Sequence, residues 1–376
     1  METIQKRRRL GFKRAFCLIT TAFFVLWLAG CIREEKNELE AEYTLPGMKV
    51  HFLDVGQADS TLIQTEDGAM LIDAGNREDH ETIINYLDSQ GVKTLDYVIG
   101  THPHEDHIGS MKAVMERYDI GTLILPDKIH TTVTYEDMLL CAEEKGLPVS
   151  LAEAGKEYQL GENARFTILA PVGDYGDNLN NWSVGVKVTY GEDRFLFCAD
   201  AEEEAEEDML GTGMELGAEV FKVSHHGSDT SNSAEFLDAV SPEFAVISCG
   251  SENSYGHPHQ EVLSRLESRN VKLYRTDVQG TIVATTRGKG VTFDREPVNA
   301  GNEEASSEKS ERVKEERTEK EQETGNGKII VHRTETGGKY HRAECSSLKH
   351  SDIELTLEAA KEMGLEPCGR CKPPES

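Results

Sequence analysis

Six positions, His102 to His107, carry three imidazoles and the Asp106 carboxylate, in the run Thr101-His102-Pro103-His104-Glu105-Asp106-His107-Ile108-Gly109. Packing gains nothing from such a run, because each group costs free energy to bury unless a hydrogen bond or a metal satisfies it. The preceding Leu95-Asp96-Tyr97-Val98-Ile99-Gly100 reads as a buried strand. The run therefore sits just beyond a strand end, rigidly placed and open to substrate. Two divalent ions about 3.5–4 Å apart need this many N and O donors. The alternative is a solvated His-rich turn.

The pattern H-x-H-x-D-H resembles that of the metallo-β-lactamase superfamily, and the resemblance runs over most of Met48 to about Pro297. His51 to Ser60, Leu71 to Gly75, His225 to Ser228 and Asn253 to His259 are similar to motifs of the soluble hydrolase domain of ComEC-type competence DNA-uptake proteins. Several motifs in the right order weigh more than one. One departure is His104, where many ComEC domains carry Asp.

The resemblance implies two divalent ions, Zn or Mn, held by His102, His104, Asp106, His107, Asp200 and His225. Asp200 ends the strand Arg194–Ala199, where the family places a bridging carboxylate after a glycine; here Ala199 takes the glycine's position. Its alternative role is a helix N-cap. His225 is assigned to metal and His226 to the substrate phosphate or leaving group, with the reverse open. Wider superfamily members carry another ligating His before the bridging Asp, and this chain offers Asn180-Asn181-Trp182-Ser183 there. Asn is a poor ligand for transition metals, so that place is weak, or filled by His257 or Asn181. Asp106, His226 and His257 are the catalytic candidates. His259 either reaches the same rim or only hydrogen-bonds in a Pro turn. Asp54 and Asp73, with Asp59 and Ser60, are expected to brace the metal loop by hydrogen bonds.

The chain has 376 residues, enough for one large domain and an appendage. A net charge of −28 argues against a protein that coats nucleic acid. It does not exclude a nuclease, because bound divalent ions invert the field locally. Strands are expected at Lys49–Asp54, Ser60–Gln64, Ala69–Asp73, Thr122–Leu125, Arg165–Ala170, Val184–Tyr190 and Ala245–Cys249, and helices at Glu81–Gln90, Ser110–Tyr118 and Tyr135–Lys145. Glu202 to Asp208 reads as a solvated helix face. Periodicity alone yields a mixed α/β domain; the resemblance implies the four-layer αββα metallo-β-lactamase sandwich, over residues 48–297.

Lys6-Arg7-Arg8-Arg9 followed by a short apolar stretch, Ala15 to Leu28, reads as an export signal over residues 1–30. Leu28-Ala29-Gly30-Cys31 resembles a bacterial lipoprotein box, which implies lipidation of Cys31 and a tether over residues 31–47. The alternative is an uncleaved membrane anchor; both place the domain outside the cytoplasm. No later run reaches membrane-spanning length, so a transport channel is not expected in this chain.

Residues 298–327 form a charged linker. Residues 328–376 hold His341, Cys345, Cys368 and Cys371 at zinc-site spacing. This unit resembles the small metal-binding module of Ada-type DNA repair proteins, which implies one structural zinc on those four residues, with His341 replacing a cysteine. The alternative is a disulfide. A helix is expected at Leu355–Met363. The resulting expectation is a lipid-anchored, binuclear phosphodiesterase acting on DNA or RNA. The alternatives are a phosphodiesterase on cell-wall polymer or phosphorylcholine, and a DNA-binding lipoprotein with a degenerate metal site.

Overall fold

Strand alternation sets the layers. In the computed structural model, which describes residues 47–299, 330–334, 338–342 and 353–368, Met70 and Ile72 face one core while Leu71 faces another. Ile99 and Val98, Ile124 and Leu123, and Phe197 and Leu196 divide in the same way. Side chains of period two can do this only where both faces of a sheet are covered.

One sheet contains β1 (Met48–Phe52), β2 (Thr61–Gln64), β3 (Ala69–Ile72), β4 (Thr94–Ile99), β5 (Asp119–Leu125) and β6 (Val149–Leu151). The other contains β7 (Glu157–Leu160), β8 (Ala164–Ala170), β9 (Gly185–Tyr190), β10 (Asp193–Phe197), β11 (Val220–Lys222), β12 (Phe244–Ile247) and β13 (Lys272–Arg275). The chain then returns to the first sheet through β14 (Ile282–Thr286) and β15 (Val291–Phe293), giving the orders β15-β14-β1-β2-β3-β4-β5-β6 and β13-β12-β11-β10-β9-β8-β7. Ile83, Leu87, Val114 and Met138, from three helices, cover the outer face of the first sheet. Met209, Phe236, Leu237 and Leu266, from three more, cover the second. The architecture is the expected αββα sandwich.

In each sheet an antiparallel meander gives way to parallel strands, at β3 in the first and at β10 in the second. Parallel neighbours finish at the same edge, where α/β folds place ligands. Ile72 pairs with Ile99, and Phe197 with Lys222. The segments that follow β3, β4, β10, β11 and β12 therefore emerge along the carboxyl edges.

Three expectations are corrected. Glu105–Ile108, within the His-rich run, is a short helix rather than open loop. Glu206, on the acidic helix Glu203–Gly211, is fully buried and accepts from the backbone N–H groups of Asn232 (2.6 Å) and Ser233 (2.9 Å). The predicted helix Leu355–Met363 begins later: Ile353–Thr356 is a strand, and the helix is Leu357–Glu362. Pairing with Ile330–Arg333 claims the β-branched start of this segment, and the Thr356 side chain then caps the helix at the Ala359 N–H.

The chain divides into two compact units, Met1–Asn302 and Glu303–Ser376. In the second, a four-stranded sheet and the helix Leu357–Glu362 share a small core, with Val331 and Tyr340 from the strands and Leu357 and Ala360 from the helix. His341 and Cys368 are buried, and the Cys368 N–H donates to the Tyr340 carbonyl (3.0 Å). Their expected zinc partners Cys345 and Cys371 lie outside the described residues, as do Cys31, the export segment and residues 300–327 of the linker. No helix among the described residues is long and apolar enough to cross a membrane.

His51, on β1, carries a stability prediction. Its Nδ1 meets the Tyr86 hydroxyl at 2.9 Å, while its buried Nε2 has no partner. Burial, aided by Lys49, lowers its pKa from 6.5 to about 4. A folded-state pKa below the unfolded one means that protons favour unfolding, so stability falls as pH drops from 6.5 towards 4, by about 3 kcal/mol in full. Urea unfolding of wild type and His51→Gln at about pH 7 and pH 4.5 checks this. The wild type should lose more than the variant on acidification, and equal losses would clear His51 of the effect.

Candidate metal centre

Asp73 follows β3 with a left-handed φ of 60°. Its carboxylate accepts from the Thr101 N–H (2.9 Å) and hydroxyl (2.8 Å) and lies 2.8 Å from Nδ1 of His107. Asp73 thus holds a proton on Nδ1 and turns Nε2 of His107 into the cavity. The Ser248 carbonyl does the same for His226, at 2.9 Å from Nδ1. Nδ1 of His102 faces the Thr101 and Ser183 hydroxyls, at 3.2 and 3.3 Å. All three rings are anchored through Nδ1.

Asp200 stands just beyond β10, after Ala199 at a φ of 46°. Its N–H donates to Ser183 Oγ (3.1 Å). One carboxylate oxygen lies 3.2 Å from Nε2 of His107, 3.7 Å from Nε2 of His225 and 3.9 Å from Nε2 of His102; the other lies 3.8 Å from Nε2 of His226. A helix N-cap does not meet four imidazoles, so the N-cap alternative does not describe Asp200; the nearby helix is instead preceded by Glu202.

Ligand atoms of Asp106, His107, Asp200 and His226 all lie within 4.8 Å of one another. Nε2 of His107, Nε2 of His226 and Oδ1 of Asp200 are buried without a hydrogen-bond partner. Unpartnered buried lone pairs of this kind demand an explanation, and two imidazoles with two carboxylates form a set that suits Zn²⁺ or Mn²⁺. The residues fit a divalent ion. Burial opposes charge on His107, yet Asp200, Asp73 and Asp106 raise its pKa well above 6.5. Burial likewise opposes ionisation of Asp200, yet His107 and His226 hold it well below 3.8. Without a metal, the carboxylates pull a proton onto a fully buried ring, which is the field a cation site presents.

Asp59, Asp73 and His107 make a second close group, but its positive charge is already supplied. Lys222, buried on β11, places Nζ 2.6 Å from Asp59 Oδ2, and Asp59 Oδ1 lies 3.4 Å from Nδ1 of His226. This pair braces the centre from below.

His226 is thus in the tight group, and His225, assigned to metal from sequence, stands at its rim. The side chain of His225 is partly exposed, with Nδ1 3.1 Å from Thr230 Oγ1. Both residues adopt left-handed backbone, φ 53° and 54°, which aims consecutive side chains at one site. His102 and His104 sit together, with Nε2 and Nδ1 3.0 Å apart. Asn181 is no substitute for the missing ligand: its Oδ1 accepts from the Glu202 N–H (2.9 Å) and its Nδ2 donates to Glu204 (3.1 Å). Asn180 lines the cavity with Oδ1 buried and unpartnered.

His257 lines a cavity of about 290 Å³ beside His225 and His226. Gln57 Oε1 accepts from the Gly250 N–H (3.1 Å), so its amide nitrogen donates to Nδ1 of His257 (3.3 Å) and the ring proton stays on Nε2. Burial, with His226 and His225, lowers the His257 pKa to about 4. His259 accepts from the Asp229 N–H (3.0 Å) and meets the Tyr255 carbonyl (3.3 Å), the turn-bracing role. Sequence reasoning missed Lys222 and Gln57. A lysine inside the apolar strand Val220-Phe221-Lys222-Val223 was the available signal for the first.

The sequence pattern of the Metallo-beta-lactamase superfamily matches residues 53–251. ComE operon protein 3 of Bacillus subtilis is 28% identical over 295 residues, covering 74% of this chain and 36% of that protein. Competence protein ComA of Neisseria gonorrhoeae is 32% identical over 267 residues, covering 69% and 34%. The chain thus spans about a third of the length of these relatives. Among solved structures, the metallo-beta-lactamase fold protein YhfI from Bacillus subtilis aligns over 61% of this chain and 95% of that one, at 12% identity and a TM-score of 0.44. With that pattern covering more than half of its length and its ligand groups assembled at the strand ends, the chain belongs to the metallo-beta-lactamase superfamily, whose members are generally metal-dependent hydrolases.

Proposed function

We propose that this chain is a binuclear phosphodiesterase that cleaves DNA or RNA outside the cytoplasm, tethered through a lipid on Cys31 and carrying a zinc module on His341, Cys345, Cys368 and Cys371. The observation that carries the hydrolytic reading is the convergence of buried, unpartnered Nε2 and carboxylate atoms from His107, His226 and Asp200 beside Asp106. The nucleic-acid reading is supported by the likeness to the competence relatives. Export and the tail rest on the sequence motifs.

One ion would sit on Asp106, His107, Asp200 and His226, and a second on His102, His104 and Asp200, with His225 and Asn180 at hand. Such ions supply Lewis acidity and a water acidic enough to ionise near neutral pH. The chain's own contribution is orientation. Asp73, Ser248 and Thr101 fix the imidazole tautomers, so no ring has to turn during the reaction. His257 keeps its proton on Nε2, from which it donates a hydrogen bond to a phosphoryl or leaving oxygen. Asp106, with an oxygen 3.4 Å from Nε2 of His226, orients the attacking water.

Purified protein spanning Ile32 to Ser376, loaded with Mn²⁺ or Zn²⁺, is expected to shorten single-stranded DNA or RNA, and chelation should stop it. A metal-loaded protein that hydrolyses a phosphorylcholine ester but no oligonucleotide would move the substrate to the cell wall.

A further inference from the structure

We propose that Tyr255 is a stacking platform for the nucleobase next to the scissile phosphodiester; this rests on the nucleic-acid reading above. Tyr255 lines the cavity, yet 67% of its surface is exposed. Its ring lies 5.6 Å from that of His257 at an interplanar angle of 23°, and the His257 ring lies 6.3 Å from that of His226 at 20°. Three nearly parallel rings therefore step from a metal-centre imidazole out to solvent, and the outermost is a phenol with most of its surface uncovered. Asp106, His226 and Tyr255 line one cavity, so a substrate whose phosphate sits at Asp106 and His226 can run along the His257 wall towards that ring.

The platform is built, not draped. Asn253 Oδ1 accepts from the N–H groups of both Tyr255 (3.1 Å) and His257 (3.0 Å), and Asn253 Nδ2 donates to the carbonyls of Gly250 (2.9 Å) and His257 (2.6 Å). From below, His259 meets the Tyr255 carbonyl and Gln57 holds His257. An exposed aromatic on a loop this well bonded is pre-organised, so little entropy is lost when a ligand stacks on it. Among the described residues lining the cavity, Tyr255 is the one Phe, Tyr or Trp. Quaternary ammonium groups are caught by cages of several such rings; a single open ring suits a flat base, which stacks on one face. A base stacked inside a duplex is not available to it, so unpaired strands should be preferred.

The test uses the metal-loaded chain with a deoxydinucleotide and with the same molecule lacking one base. Tyr255→Ala should raise KM for the dinucleotide about tenfold, the scale of one lost base–aromatic stack, with kcat within about twofold. Tyr255→Phe should keep the wild-type KM. On the abasic substrate, wild type and Tyr255→Ala should agree. Equal effects on both substrates, or none, overturn the platform. Fluorescence of a 2-aminopurine oligonucleotide gives a readout without turnover: wild type should quench it and Tyr255→Ala should not. Tyr255-dependent quenching without cleavage keeps the platform and removes the nuclease reading, while neither quenching nor cleavage removes both. Quenching displaced by phosphorylcholine but not by a mononucleotide would reassign the ring to a quaternary ammonium and overturn the base platform.

Discussion

Asp200→Ala empties the centre: hydrolysis falls by about a thousandfold or more, and metal content falls with it. Groups that merely orient ligands cost about 10–100-fold when lost, and a single stabilising donor costs about 100–1,000-fold. Asp200 does more than either, because its two oxygens lie within 4 Å of the imidazoles of His102, His107, His225 and His226. Without it no carboxylate spans the two halves of the ligand set. His107→Ala should behave alike, since it removes the ring that Asp73 aims into the cavity. Emission spectroscopy for bound metal, beside hydrolysis of an activated phosphodiester, checks both variants. Full metal content with lost activity would confine Asp200 to the chemistry. Full activity in metal-depleted His107→Ala protein would remove that residue from the centre.

Lys222→Ala destabilises the protein by about 3–5 kcal/mol, because it strands the buried Asp59 carboxylate without its counter-charge. The pair is 2.6 Å apart and both side chains are almost fully enclosed. Asp59 also ties the floor of the centre together: its N–H donates to the Asp106 carbonyl and its carbonyl accepts from the Gly75 N–H. The double variant Asp59→Leu/Lys222→Met, which removes both charges, should recover most of the loss. Nδ1 of His226 stays on the Ser248 carbonyl in the double variant, so His226 should remain aimed at the centre. Denaturant titrations of the wild type, the single variant and the double variant form the test. A loss under about 1 kcal/mol for Lys222→Ala would show the pair to behave as a solvated one.

Much of this was legible along the chain. The ligands follow strands whose apolar residues are consecutive, and consecutive apolar residues are what a sheet covered on both faces requires. His102, His104, Asp106 and His107 sit together in sequence because one turn after β4 presents them all. The choice between His225 and His226 was not legible. Backbone angles decide which ring points inward, and two neighbouring left-handed residues leave no trace in residue type. Lys222 was hidden because its partner Asp59 lies far away in sequence. Glu206 was misread because a carboxylate that accepts two backbone N–H groups looks, in sequence, like any other acidic residue on a helix. At Ile353–Thr356 a neighbouring strand overrode helical periodicity.

The return of β14 and β15 to the first sheet has a consequence for where the integrity of the centre resides. β1 has β14 as its outer neighbour, in register from Met48–Thr286 to Phe52–Ile282. The strand at the start of the described domain is thus paired with one near its end. His102, His104, Asp106 and His107 come from the first sheet's loops, and Asp200, His225, His226 and His257 from the second's. Neither sheet by itself holds more than half of the donors. The centre is therefore a property of the closed sandwich, because losing the edge loops of either sheet removes four of its eight donors.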